Sequence, residues 1–247
     1  MRYFTEISYK GTQYSGWQIQ ENANTVQAEF NKALSVLLKT ETDSMGCGRT
    51  DAGVHALGMV AHFDAAKELE ADFLYKLNAL LPKDISIREI RAVKSEAHAR
   101  FDAISRSYRY LIHDHKDPFS NHDSYFFNKA LDLEAIDRAV EIIKNQKDFE
   151  AFSKVHTEVN HFNCDIFEAK WERSETGHVF HIRADRFLRG MVRTIVGTLL
   201  DVGEGKTSPD QVKEILESKD RKLAGRSVPA HGLYILKADY PNEIYLN

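Results

Sequence analysis

The chain has 247 residues, 43% hydrophobic and 28% charged, with a formal net charge of −4 and a pI near 6.3. This is enough chain for one large domain or two ordinary ones with a substantial apolar core, and its slight acidity argues against coating nucleic acid by bulk charge, though not against a local basic cleft. No apolar stretch reaches the roughly 18 residues of a membrane span, no signal peptide precedes the first strand-like residues, and Cys47 and Cys164 form no C-x-x-C; the expectation is a cytoplasmic protein with reduced thiols, no membrane association and no cysteine zinc site.

Residues 2–9 alternate as a strand does. Asn24, with Gln27 three residues on, predicts the start of a helix whose apolar face is Val26, Phe30, Ala33, Leu34 and Leu37. Strand-like sequence runs on through Gly48 and resumes over 54–63; a helix over 72–81 stops at Pro82, and residues 85–93 alternate again. The second half opens with a strand over 105–112 and a helix from Asp132 bearing Leu133, Ile136, Val140 and Ile143. Strands over 165–172 and 178–184 flank a turn at Thr176-Gly177, followed by a helix over 186–202, another from Pro209 and a last strand over 232–239. Each half therefore gives the order strand, helix, two strands, helix, strand, with one further helix, from Pro209, in the second half. The expected fold is α+β, with two ferredoxin-like (split β-α-β) halves, 1–103 and 104–247, whose antiparallel or mixed sheets abut around a central cleft of the kind that binds ligands.

Residues 47–56 read CGRTDAGVHA, placing Arg49 and Asp51 on a turn between Gly48 and Gly53. Glycine allows a sharp turn and the close approach of a bulky partner to the Asp51 carboxylate. The same residues would equally make a plain surface turn. In the helix predicted over 186–202, Phe187, Leu188, Met191, Val192, Ile195, Val196, Leu199 and Leu200 cover nearly the whole circumference, with Arg193 among them. A guanidinium so enclosed needs an anion, either a structural carboxylate or a ligand phosphate. Arg186, Arg189 and Arg193, spaced by three and four, are predicted to share one helix face that a polyanion could approach. Tyr108 and Tyr110 lie on one face of a strand beside Arg106, where core tyrosines need no further explanation.

Two signals point nowhere. GEGKT at 203–207 looks like the end of a phosphate-binding loop, but the earlier glycine would fall at Leu200 and a helix precedes it instead of a strand. Local structure accounts for it: Gly203 ends a helix, and Ser208, Pro209 and Gln211 form the start of the next. His113 with His115, and His55 with His62, lack a cysteine or carboxylate at recurrent zinc-ligand spacing, so no metal site is expected.

Four segments together resemble the bacterial tRNA pseudouridine synthase A family. GRTDAGVHA at 48–56 is similar to its catalytic motif, YKGTQYSGWQIQ at 9–20 to its opening motif, ARFDAISRSYRY at 99–110 to its tyrosine strand, and FLRGMVRTIVG at 187–197 to its third catalytic motif. They stand in family order, through HGLY at 231–234.

The resemblance implies the pseudouridine synthase fold and the cofactor-free isomerisation of uridine to pseudouridine at tRNA positions 38 to 40, in the anticodon stem-loop, by a homodimer. It implies that Asp51 is the essential aspartate, that Tyr108 stacks on the target base, that Arg193 pairs with the aspartate and that Arg49 assists base flipping. Arg186, Arg189 and Phe187 are the expected substrate contacts beside Tyr108. The sequence departs from the family at Gly190, where many members carry histidine. Two competing readings are an RNA-binding module without catalysis, and a hydrolase using Asp51 and His55 as acid and base.

Overall fold

The computed structural model describes residues 1–154 and 159–246. In chain order its main elements are β1 (Arg2–Tyr9), α1 (Val26–Leu38), β2 (Ser44–Gly46), β3 (His55–Asp64), α2 (Phe73–Leu80), β4 (Ile85–Val93), β5 (Ser105–His113), β6 (Tyr125–Phe126), α3 (Leu133–Lys144), β7 (Ile166–Ser174), β8 (Gly177–Ala184), α4 (Met191–Gly203), α5 (Pro209–Ser218) and β9 (Leu233–Asp239). The α+β class is as predicted. Contacts divide the chain into one unit of Met1–Ser105 with Tyr234–Asn247 and a second of Arg106–Leu233.

In the first unit β1 lies between β3 and β4, antiparallel to both. β2 pairs with the end of β3, through Ala61 to Phe63, and β9 runs parallel to its beginning, at His55 and Ala56. The order β4-β1-β3-β2 is that of a split β-α-β fold. Phe63 of β3 meets Phe30 of α1 at 6.2 Å and Phe73 of α2 at 6.3 Å, so both helices cover the face that Phe63 presents. Strand residues alternate between faces, and accordingly Phe4 packs with Tyr240 and Tyr245.

The start of α1 differs from expectation. Thr25, not Asn24, is the cap, its side chain accepting from the Ala28 amide. Gln27 does not complete a capping box: its Nε2 donates to the Ser44 carbonyl and its Oε1 accepts from the Ile19 amide. A buried amide with two distant backbone partners ties α1 to β2. β2 also stops at Gly46, short of the predicted Gly48.

In the second unit β8 lies between β5 and β7, antiparallel to both, and α3 packs on β7, α4 and α5. α3 begins as predicted, with Asp132 accepting from the Ala135 amide. α5 carries the full capping box of Ser208 and Gln211 with proline in its first turn. Lys206, of the discarded phosphate-loop signal, pairs with Glu204.

His62 gives the first unit a pH dependence. Its Nδ1 accepts from the Ala99 amide at 3.1 Å, which a protonated ring cannot do. Burial, then Arg2 and His98, push it down to about 4. An unfolded histidine titrates near 6.5, so the stability held by neutral His62 is complete above that pH and is lost as pH falls from about 6.5 towards 4. Urea midpoints should fall across this window, and less steeply in His62→Gln; parallel profiles would refute the assignment.

Candidate active site

Residues 47–54 connect β2 to β3. At their head Cys47 is buried, its amide donating to the Val60 carbonyl at 2.7 Å. Arg49 is exposed and Asp51 half-buried. The Asp51 carbonyl accepts from the Val54 amide at 3.2 Å, closing a turn in which Gly53 takes φ +80°. Gly53 is thus required, as predicted. Gly48 is not: it lies outside the left-handed region and has open space where a side chain would stand.

The opening motif holds this turn in place. The hydroxyls of Tyr9 and Thr50 share a hydrogen bond of 2.9 Å next to Asp51, and the Gly53 amide donates to the Tyr14 carbonyl at 3.3 Å. A methyl group on Gly11 would lie 2.0 Å from the Val54 carbonyl oxygen. One on Gly16 would lie 2.2 Å from that of Thr50, and Gly16 has φ +94°. Both glycines exist because the loop runs against bare backbone. Sequence reasoning assigned these residues no role; the signal was there in Gly11 and Gly16, but their partners lie some forty residues away. His55 is a packing residue, 2% exposed, accepting the Gly11 amide at Nδ1 and stacked on Tyr234 at 4.6 Å.

In the second unit burial distinguishes the two tyrosines, which share one face of β5. Tyr110 is fully buried and donates its hydroxyl to the Pro229 carbonyl at 2.7 Å, which makes it the core tyrosine. Tyr108, opposite Ile182, stays half-exposed with its ring edge-on to Phe187 at 4.9 Å. Two predicted substrate contacts are therefore neighbours.

The predicted helix over 186–202 needs correction. α4 begins only at Met191, because Gly190 turns the backbone to φ +74° just before it. Arg186 and Arg189 precede the helix, so they do not share a helix face with Arg193. Arg186 Nη1 lies 3.1 Å from His161 Nε2, and Arg189 is exposed. Arg193, in the first turn and not mid-helix, is half-buried instead of enclosed, and its Nε donates to the Val228 carbonyl at 2.7 Å. Among the described residues no group of three histidine, cysteine or acidic side chains is arranged to hold a metal ion.

The family described as tRNA pseudouridine synthase matches residues 7–102 and 146–241. The chain belongs to this family, on a match covering most of its length. It is 47% identical over 247 residues to tRNA pseudouridine synthase A of Parabacteroides distasonis, covering 99% of this chain and 98% of the relative. Against the protein of the same name from Bacteroides fragilis the identity is 47%, over 99% of this chain and 98% of the relative. For the Bacillus subtilis protein it is 42%, over 98% of this chain and all of the relative.

Proposed function

We propose that this protein isomerises uridine to pseudouridine in tRNA, without a cofactor, at positions 38 to 40 of the anticodon stem-loop. The observation that carries the reading is Asp51 on its glycine-built turn, in a chain of this family. The bond from the ribose to the ring nitrogen breaks, the base turns, and the ribose rejoins at carbon 5, which gives up its hydrogen as a proton while the freed ring nitrogen takes one up. Asp51 is the group assigned to this chemistry, Arg193 the cation that serves it, and Arg49 an aid to flipping the base. We assign the protein to a homodimer on the same family resemblance, and to the cytoplasm as the composition and sequence lead one to expect.

The target base must leave its stack before the ribose carbon can be reached, at a cost of a few kcal/mol. Tyr108 recovers part of that by stacking, worth roughly 1–3 kcal/mol per base, with Phe187 setting the tilt of its ring. Arg186 and Arg189 hold phosphates, which position the RNA without reading its sequence.

Tritium release from tRNA labelled at carbon 5 of uridine tests the reaction. An isomerase releases tritium into water; an RNA-binding module or a hydrolase does not. Tyr108→Ala should slow release roughly 5- to 150-fold, the stacking energy expressed as a rate. A wild-type rate in that variant would remove Tyr108 from the mechanism.

A further inference from the structure

We infer that the segment 224–229 is a strap whose register along α4 sets the orientation of the Arg193 guanidinium, and that Gly197 and Thr198 are positioning residues for the isomerisation through it. The inference rests on the function proposed above.

Three rungs join strap and helix in antiparallel order. The Gly225 amide donates to Thr198 Oγ1 at 3.0 Å. The hydroxyls of Thr194 and Ser227 share a hydrogen bond of 3.0 Å. At the far end the Val228 amide donates to the Arg193 carbonyl at 3.2 Å, while Arg193 Nε donates to the Val228 carbonyl at 2.7 Å. The third rung thus grips Arg193 by backbone and side chain together. An arginine side chain has four soft torsions, and fixing Nε on a backbone carbonyl leaves the two terminal nitrogens as the end that meets an anion.

The middle of the strap explains how the register is set. A methyl group on Gly197 would stand 1.8 Å from the Arg226 carbonyl oxygen, and one on Gly225 2.6 Å from the Thr198 amide nitrogen. Helix and strap therefore touch backbone to backbone at this point, and no residue with a Cβ fits on either side without displacing the strap. Thr198 is fully buried, donating its hydroxyl to the Thr194 carbonyl at 2.9 Å while accepting from Gly225. A buried hydroxyl satisfied in both roles is a specific peg, because an apolar residue of the same shape leaves the Gly225 amide without an acceptor. Val228, with no exposed surface, anchors the strap beside Arg193.

The test compares Thr198→Val, Thr198→Ser and Gly197→Ala with the wild-type protein in single-turnover isomerisation of tRNA, together with tRNA Kd by filter binding. The Arg193 Nε–H resonance in the RNA-free protein is followed as well. Misplacement of a working group by about 1 Å can cost on the order of 100-fold in rate. Thr198→Val is accordingly expected to lose about 10- to 100-fold in rate with Kd unchanged, and to shift the Nε–H signal, while Thr198→Ser restores both. Should Gly197→Ala fail to fold, the two Thr198 variants decide the matter. A wild-type rate or an unshifted Nε–H signal in Thr198→Val overturns the strap's role, as does a lower melting temperature with nothing else changed. If the wild-type protein itself releases no tritium from labelled tRNA, the proposed function has failed; the Nε–H comparison still stands or falls on its own.

Discussion

Asp51→Asn is expected to lower tritium release on the order of 1,000-fold or more, the scale on which a single group acting in a proton or bond transfer contributes. Asparagine keeps the size of the side chain, and the contact that shapes the loop is made by the backbone carbonyl of residue 51 to the Val54 amide, which the change leaves intact. The loop's other supports, Tyr9 with Thr50 and Tyr14 with Gly53, do not involve the carboxylate. Binding of tRNA in a gel shift at low salt should therefore persist while turnover disappears. Full activity in this variant would remove Asp51 from the centre of the mechanism.

Gly16→Ala carries the second large effect, and it acts on the same loop from outside. A side chain there meets the Thr50 carbonyl oxygen at 2.2 Å, and the backbone already stands at φ +94°. Forcing an L side chain into that conformation costs about 1–2 kcal/mol, and the crowding adds about 1–3 kcal/mol. Urea unfolding should show a loss of about 2–5 kcal/mol. The isomerisation rate of the folded protein should also drop, since the clash falls on the residue before Asp51. Gly48→Ala is the matching control, because that glycine has ordinary torsions and open space around it. A Gly16→Ala protein with wild-type midpoint and rate would show that the close approach is dispensable.

What could be read from the sequence was what neighbours in the chain decide. The strand over 2–9, the helix starting at Asp132 and the capping box at Ser208 each depend on residues within one turn, and the structure has them as predicted. Asn24 failed as a cap because Thr25 beside it can do the same work, and the choice fell to the long-range bonds of Gln27, which no local pattern reveals. The arginine spacing over 186–193 imitated a helix, yet Gly190 in the left-handed region starts α4 later. At the candidate site the motif residues were legible. The reason for Gly11 and Gly16 was not, because a glycine marks a close approach without naming what approaches.

The strand β9 bears on the order in which the protein is made. Residues 234–246 belong with the first unit: Tyr234 and Ile235 pair with His55 and Ala56, Tyr240 donates its hydroxyl to the Ala99 carbonyl at 2.6 Å, and the Leu246 amide donates to the Ala92 carbonyl at 3.0 Å. A ribosome adding about 5–20 residues per second needs roughly 6–26 s to pass residues 106–233. Through that interval the beginning of β3, directly after the Asp51 loop, has an open edge, so the unit begun first during translation is the one completed last.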